Sequence, residues 1–258
     1  MSNAGCTPQS IYHNKNFNPP VYFGTHVVRK DDTLYSIAWR YGRDFKELAA
    51  ENEIRPPYII SPGQKINLER HLTAKSTTLA KAESGKSKIS NVTKSKSAYK
   101  TSGNITKIKK HKNFKNIKWQ WPHLGPILAM YSNGDINSTK SGKNKVSSNT
   151  RSSVNKGIDI AGHLGDPIFA AAAGEVVYAG SGLLGYGNLV IINHNERYLS
   201  AYAHNRQILV QEGQQIKTRE KIAEMGRSGG SGLERPMLHF EIRKNGQPVD
   251  PMKYLPRR

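Results

Sequence analysis

The sequence predicts two folded parts of different class: a small α+β domain near the N-terminus and a mainly β domain at the C-terminus. Two helical periodicities between short β-rich runs predict the first, over residues 25–70. Short β-branched runs separated by glycines predict the second, over residues 119–258. The third observation is the lysine-rich stretch between them, residues 71–118, which has too few apolar side chains to form a core.

Composition supports this division. The chain has 258 residues, a formal net charge of +20 and a hydrophobic content of 36%. That content is low for a single packed domain, so we expect part of the chain to remain unpacked. A single cysteine, Cys6, excludes an internal disulfide framework and any multi-cysteine metal site. The sequence contains no apolar run of 18 residues, so no membrane-spanning helix is predicted.

Residues 1–24 contain scattered prolines and asparagines and are predicted to be an irregular tail. Within it, Cys6 follows Gly5 and resembles the lipidated cysteine of a bacterial lipoprotein. In that interpretation Cys6 is the lipidation site, and a lipid anchor is the chain's only contact with a membrane. The alternative is a lone thiol in a flexible tail.

The small domain begins with a short β-rich run, THVV. In DDTLYSIAWRYG, apolar side chains recur at helical spacing, at Leu34, Ile37, Ala38 and Tyr41. Asp32 or Thr33 can cap the start of this helix, and Gly42 suits its end. A second helix is predicted over DFKELAAEN, where Asp44 and Glu47 have the spacing of a capping box. SPGQKINL then supplies a turn and a closing strand.

This β-α-α-β order, with DTLYSIAWRYG and ISPGQKINL, closely resembles a LysM domain over its whole length. The resemblance implies binding to the N-acetylglucosamine-containing glycan strands of peptidoglycan or chitin.

The segment 71–118 holds thirteen lysines and one acidic residue, Glu83. We predict a disordered linker whose charge attracts anions. A charge run alone is weak evidence for nucleic-acid binding, and only Tyr99 and Phe114 could stack on bases. No nucleic-acid partner is therefore predicted.

The C-terminal domain contains five β-rich runs: EVVYAG, NLVIINH, RYLSAYAH, KIAEMG and MLHFEIR. HNE, at 194–196, is predicted to be a hairpin turn. Met237 and His239 flank Leu238, so both side chains should lie on the same face of one strand. These runs, with little helical periodicity, predict an antiparallel sheet.

With GIDIA, GYGNLVII, SAYAHN and LHFEIR, this domain resembles the lysostaphin/LytM-type zinc peptidases. The resemblance implies a groove on an antiparallel sheet, where zinc hydrolysis requires three protein ligands and a proton-shuttling residue. Asp159 and His239 match two ligands, and His204 matches one catalytic histidine. Asn155 stands in place of the first ligand, and Met237 in place of the other catalytic histidine.

These two replacements predict a protein that is not an enzyme and needs no cofactor. An amide oxygen is a poor zinc ligand, and a thioether carries no titratable proton. His163 is rejected as a substitute ligand because it should follow the strand, in a loop. The remaining histidines lack a partner pattern and are expected at the surface, namely His13, His26, His71, His111, His123 and His194.

The motifs NKGIDIAG, GYGNLVII and YLSAYAHN, beside a LysM domain, resemble the NlpD-like murein hydrolase activators. This implies a periplasmic lipoprotein, anchored to the outer membrane, that binds peptidoglycan glycan strands. It would activate an N-acetylmuramoyl-L-alanine amidase during daughter-cell separation. Two alternatives remain open: a zinc endopeptidase with unusual ligands that cleaves peptidoglycan, and a cell-wall-binding protein without a regulatory role.

The site prediction is a groove that binds the partner. Its five residues should converge because the strands that carry them are intact: Asn155, Asp159, His204, Met237 and His239. The neutral asparagine and apolar methionine predict a floor better suited to a partner's side chains than to an ion.

Overall fold

The computed structural model describes residues 21–70, 117–133, 154–229 and 235–258. The predictions for Cys6, and for the linker up to residue 116, lie outside these residues. The described parts of both domains belong to one compact unit. Among them, no helix has the length and apolar character needed to cross a membrane.

The N-terminal domain has the predicted β-α-α-β order. It consists of β1 (Thr25–Val27), α1 (Leu34–Arg40), α2 (Phe45–Glu51) and β2 (Lys65–Asn67). The two strands pair antiparallel, with His26 opposite Ile66. Apolar side chains of both helices and of β2 form the buried centre, among them Leu34, Ile37, Leu48 and Ile66.

Local hydrogen bonds explain where the helices begin and end. Thr33, rather than Asp32, caps α1, and it forms a reciprocal capping box with Ser36. The Asp44 carboxylate caps α2 by accepting hydrogen bonds from two backbone N–H groups. Gly42 follows α1 with a φ of 63°, a left-handed conformation that costs glycine little.

The C-terminal domain is built on one antiparallel sheet, as predicted. Its strands are β3 (Ile127–Ala129), β4 (Ile158–Ala161), β5 (Pro167–Phe169), β6 (Gly174–Gly180), β7 (Asn188–Asn193), β8 (Tyr198–Ile208), β9 (Gln215–Ile216), β10 (Lys221–Met225), β11 (Met237–Lys244) and β12 (Gln247–Val249). The main path is β3-β4-β11-β8-β7-β6-β9. The strand β10 pairs with β5 and β8, and β12 pairs with β11. A short 3-10 helix, Pro251–Lys253, follows.

The register of β8 against β11 separates two faces of the sheet. Phe240 lies opposite Tyr202, and Glu241 lies opposite Ala201. Because side chains alternate along a strand, these two pairs point in opposite directions. We call the face with Tyr202 and Phe240 the core face, and the face with Ala201, His239 and Glu241 the groove face.

The core face packs onto an apolar cluster that includes Trp119 and Trp121. His194 is buried at its edge, between the Ala173 carbonyl and the Ser200 hydroxyl. His26, in the N-terminal domain, is also buried and contacts Asp32 and Tyr41. The expectation that His26 and His194 lie at the surface was therefore wrong, because each ring has two polar partners that satisfy its nitrogens.

Candidate functional site

The site lies on the groove face, where β4 and β11 run side by side. His239 of β11 is paired in register with Asp159 of β4. This pairing brings the His239 Nδ1 within 2.6 Å of the Asp159 Oδ1. Both side chains are only partly exposed, at 14% and 18%. Alternation on β11 explains the geometry, because Leu238 points into the core while Met237 and His239 point to the groove.

Two carboxylates hold the His239 ring. Its Nδ1 faces Asp159, and its Nε2 lies 3.2 Å from the Glu241 Oε1. A neutral imidazole can donate only one hydrogen bond, so only the protonated ring can donate to both carboxylates. Burial by itself would lower the pKa of His239, but the hydrogen bonds and charges of Asp159 and Glu241 outweigh it and raise the pKa to about 9.

The row of charges continues along β11. The Glu241 carboxylate is fully buried and accepts hydrogen bonds from the Arg243 Nε at 3.0 Å and from the Tyr186 hydroxyl at 2.7 Å. Burial alone would raise the pKa of Glu241, but the Arg243 charge and the hydrogen bonds from His239 and Tyr186 lower it to about 2. Acidic and basic side chains therefore alternate along the groove face, in the order Asp159, His239, Glu241 and Arg243.

Asn155 reaches the site with its amide nitrogen. Its Nδ2 points toward the Asp159 Oδ2 at 3.4 Å, and its Oδ1 accepts a hydrogen bond from the Gly157 N–H. A bridge between Ser132 and Asn155 fixes the backbone there. The side chain therefore presents an N–H donor to Asp159, in the position where a metal ligand would need a lone pair.

His204 lies on the other side of His239, with their ring centroids 6.0 Å apart. The His204 Nδ1 donates to the Ser228 carbonyl oxygen at 2.7 Å. Burial and the charge of His239 lower the pKa of His204, so its ring is neutral at pH 7. His204 also has a φ of 65°, a strained backbone conformation for a residue with a side chain.

Met237 is half-buried at the first position of β11, two residues before His239. Its backbone is held by Ala161 on one side and by Gly226 on the other. The structure thus places all five predicted residues on one face. Their contacts differ, since Asp159 and His239 touch directly, Asn155 adjoins Asp159, and Met237 lies further out.

The chemistry of this donor set does not fit a zinc ion. Two tetrahedral ligand atoms at about 2.0–2.1 Å from zinc stand about 3.4 Å apart. The Asp159 and His239 atoms are much closer than this, with a shared proton between them. Among the residues that the structure describes, no group of three or more His, Cys, Asp or Glu side chains is arranged to hold a metal ion.

The structure also corrects the predicted floor of the groove. The sequence predicted a floor dominated by a neutral asparagine and an apolar methionine, but the floor is a row of paired charges. Glu241, Arg243 and Tyr186 were missed, although Glu241 and Arg243 follow His239 at two-residue spacing in LHFEIR. That alternation places them on the face of His239, and it was the available signal.

Comparisons with known proteins agree with the fold of both domains. The profile of Peptidase family M23 matches residues 153–251, and that of the LysM domain matches residues 26–68. The "Lipoprotein NlpD/LppB homolog" of Pseudomonas aeruginosa is 44% identical over 93% of this chain and 79% of its own length. The chain belongs to the NlpD lipoprotein family.

Two further NlpD-family relatives are similar along most of the chain. The "Uncharacterized lipoprotein YgeR" of Escherichia coli is 38% identical, over 98% of this chain and 88% of its own length. The "Murein hydrolase activator NlpD" of the same species is 35% identical, over 96% and 73%. The similarity therefore includes both domains and the segment between them.

Proposed function

We propose that this protein is a non-catalytic activator of N-acetylmuramoyl-L-alanine amidases in cell division and daughter-cell separation. Membership of the NlpD family supports an activator, since one relative carries the name murein hydrolase activator. The proposed partners are peptidoglycan glycan strands, bound by the LysM domain, and a periplasmic amidase. The proposed location is the periplasmic side of the outer membrane, with a lipid on Cys6 as the anchor.

One observation carries the proposal that this domain is not a peptidase. The two retained ligand positions, Asp159 and His239, are hydrogen-bonded to each other. A peptidase of this class uses a metal to lower the pKa of a bound water, and then needs a second histidine to move protons. Met237 cannot move a proton, and the Asn155 amide offers the site a donor.

The groove is the proposed surface for the amidase. It keeps a strand-lined face on which Asn155, Asp159 and Met237 are partly exposed. An activator can shift an amidase toward its active state only by binding that state more tightly. We propose that a segment of the amidase binds in or beside this groove and that this contact supplies the difference in affinity.

The central experiment measures hydrolysis and metal together. The purified full chain is assayed for release of dye-labelled peptidoglycan, alone and with a periplasmic amidase of the same bacterium, and its bound zinc is quantified. The expected result is no release by the protein alone and a marked increase of release by the amidase.

Other outcomes separate the alternatives. Release by the protein alone that disappears in an Asp159→Ala variant would indicate a zinc endopeptidase. Binding to insoluble peptidoglycan without any effect on the amidase would indicate a wall-binding protein only. Binding must be measured at several salt concentrations, because exposed-charge attraction is screened over about 8 Å at physiological ionic strength.

A groove variant tests the docking surface. Met237→Arg adds a charged side chain at a half-buried position of the groove face, and should weaken amidase stimulation while the domain stays folded. Leu164→Arg is the control, because Leu164 is an exposed apolar side chain on a loop of the same domain. Unchanged stimulation by the folded Met237→Arg variant would show that the amidase binds elsewhere.

A further inference from the structure

The LysM domain covers part of the groove face. The helix α1 lies against the sheet, and one buried cluster joins its side chains to Val177, Leu189, Ile191 and Ala201. Six consecutive residues of α1, from Leu34 to Trp39, are buried. A helix that is buried all round must be covered on both sides. Here α2 and β2 cover one side, and the groove face covers the other.

The contact reaches the row of charges at the site. The Arg243 Nη1 donates to the Trp39 carbonyl oxygen at 2.9 Å, and the guanidinium carbon lies 3.5 Å from the centre of the Trp39 ring. The Trp39 ring also contacts Tyr186, whose own ring lies 6.1 Å from His239. The LysM domain is therefore separated from His239 by a single side chain.

Further hydrogen bonds surround this centre. Thr33 donates to the Val177 carbonyl at 3.1 Å, and Arg40 donates to the Gly182 carbonyl at 3.2 Å. Just past the C-terminal end of α1, the Gln247 Nε2 donates to the Gly42 carbonyl at 3.2 Å. A backbone carbonyl accepts each of these three hydrogen bonds. Together they fix the orientation of the LysM domain, and none of the three is an ion pair.

The interface between the LysM domain and the sheet also contains polar groups that are less stable there than in water. The Trp39 Nε1 is buried and faces the Tyr186 hydroxyl without meeting it in good hydrogen-bond geometry. An unsatisfied buried donor weakens an interface, because the group loses its water and gains no partner. The charge of Asp31 in the LysM domain also acts on Glu212 of the sheet domain, and burial together with this charge raises the pKa of Glu212.

We infer that the LysM domain is a removable cover of the groove, so that the chain closes its own partner-binding face and the amidase competes with α1 for the Arg243 end of that face. The competition rests on the proposed function, whereas the docking of α1 does not. The apparent affinity for a partner is then the intrinsic affinity multiplied by the fraction of chains whose groove face is open.

Gly246 offers a direct way to open the cover. It follows Asn245 in the tight turn between β11 and β12, with a φ of 75°. A Cβ at this position would lie 2.5 Å from the Asp44 backbone nitrogen and 2.6 Å from the Arg43 carbonyl carbon and oxygen. These are backbone atoms of the LysM domain, so they cannot move aside unless the domain shifts.

Gly213 provides the matched control. Its φ of 80° imposes the same strain on an alanine, but a Cβ there meets no atom within 4 Å. Gly246→Ala and Gly213→Ala therefore differ in the contact with the LysM domain. A second opening variant is Gln247→Glu. It places a carboxylate beside the Gly42 carbonyl, just past the C-terminal end of α1, and the two negative groups repel each other.

The experiment measures opening and stimulation separately in the full chain. Acrylamide quenching of tryptophan fluorescence reports opening, because Trp39 loses its cover while Trp119 and Trp121 remain in the sheet domain's core. Gly246→Ala and Gln247→Glu should increase quenching and lower the protein concentration that half-maximally stimulates the amidase, about tenfold for Gly246→Ala. Gly213→Ala should change neither.

Each outcome supports or overturns a different statement. Increased quenching with unchanged half-maximal concentration would overturn the competition, even though the activator itself works. Unchanged quenching in both opening variants would show that the LysM domain is not a removable cover of the groove. If the wild-type chain does not stimulate the amidase at all, the proposed function fails, while quenching still decides whether the LysM domain is docked.

Discussion

The two faces of β8 and β11 each bury a histidine, but in opposite states of charge. At the edge of the core face, His194 meets a carbonyl and a hydroxyl, and burial lowers its pKa to about 4. On the groove face, His239 lies between two carboxylates that overcome burial and raise its pKa to about 9. The same sheet therefore stabilises one ring as a neutral group and the other as a cation.

This difference shows how the groove face holds a buried cation. A buried cation needs compensating charge, and the groove face supplies it with Asp159 and Glu241. Around His194 the core face instead supplies a carbonyl and a hydroxyl, which suit a neutral ring. The two carboxylates of the groove face are therefore balanced by the His239 imidazolium and the Arg243 guanidinium.

The largest expected effect is on the core face. Phe240→Ala removes a fully buried ring that packs on Tyr202, and should lower the free energy of unfolding by about 3–5 kcal/mol. Urea unfolding followed by circular dichroism measures this loss. Leu184→Ala is the control, since Leu184 is 99% exposed and should change stability by less than about 0.5 kcal/mol.

On the groove face, charge rather than volume should dominate. Glu241→Gln keeps the size of the side chain but leaves His239 and Arg243 without their shared carboxylate, and should cost about 3–4 kcal/mol. The pKa of His239, followed by NMR, should fall at the same time. Glu196→Gln, at an exposed position, is the control. A stability close to that of the wild type would mean that the row of charges contributes little.

Stability should fall on both sides of pH 6.5, for opposite reasons. The folded pKa of His194 is below its unfolded value, so its contribution is complete above pH 6.5 and is lost as the pH falls toward 4. The folded pKa of His239 is above its unfolded value, so its contribution is complete below pH 6.5 and is lost as the pH rises toward 9. Each loss is about 3 kcal/mol.

Histidine variants show which residue causes each fall in stability. The free energy of unfolding is measured with urea at pH 4.5, 6.5 and 9, and we call the two falls the acid and alkaline limbs. His194→Gln should flatten the acid limb, and His239→Gln the alkaline limb. His163→Gln should leave both limbs as they are, because that side chain is 96% exposed. A limb that persists in its own variant would mean that other groups control it.

A smaller effect is expected at the edge of the row of charges. Tyr186→Phe removes only the hydroxyl that donates to Glu241, and should cost about 2 kcal/mol, the usual value for a hydrogen bond to a charged group. Thermal unfolding at pH 6.5 measures it. Tyr22→Phe, at a partly exposed position, is the comparison. An equal loss of stability in both variants would show that the Tyr186 hydroxyl contributes no more than the Tyr22 hydroxyl.

Much of the fold was readable from local patterns. The helical spacing of Leu34 and Ile37 predicted α1, and the β-branched runs predicted β6, β7, β8, β10 and β11. Alternation placed Met237 and His239 on one face, and the resemblance to zinc peptidases supplied Asn155, Asp159 and His204. The short strands β3, β5, β9 and β12 were missed, because two or three residues are too few to show a period. The strands β1 and β2 are as short, but the helices and the Pro-Gly turn beside them marked their positions.

The docking of α1 on the groove face could not be predicted. Trp39 is apolar but lies outside the predicted stripe of α1, and Ala201 has the pattern of a residue in its own domain's core. Pairing two such surfaces depends on their three-dimensional shapes, and neither surface carries a local signal for the other. The burial of His194 was missed for a related reason, since its partners Ala173 and Ser200 come from other parts of the chain.

The contact between Trp39 and Arg243 joins two parts of a single chain, so the equilibrium between covered and uncovered forms is unimolecular. Dilution does not release the cover, and a higher concentration of the protein does not tighten it. The amount of protein sets how many copies a cell holds, and the strength of this contact sets what share of them has an uncovered groove face. Abundance and readiness can therefore be adjusted independently, the first by synthesis and the second by substitutions such as those at Gly246 and Gln247.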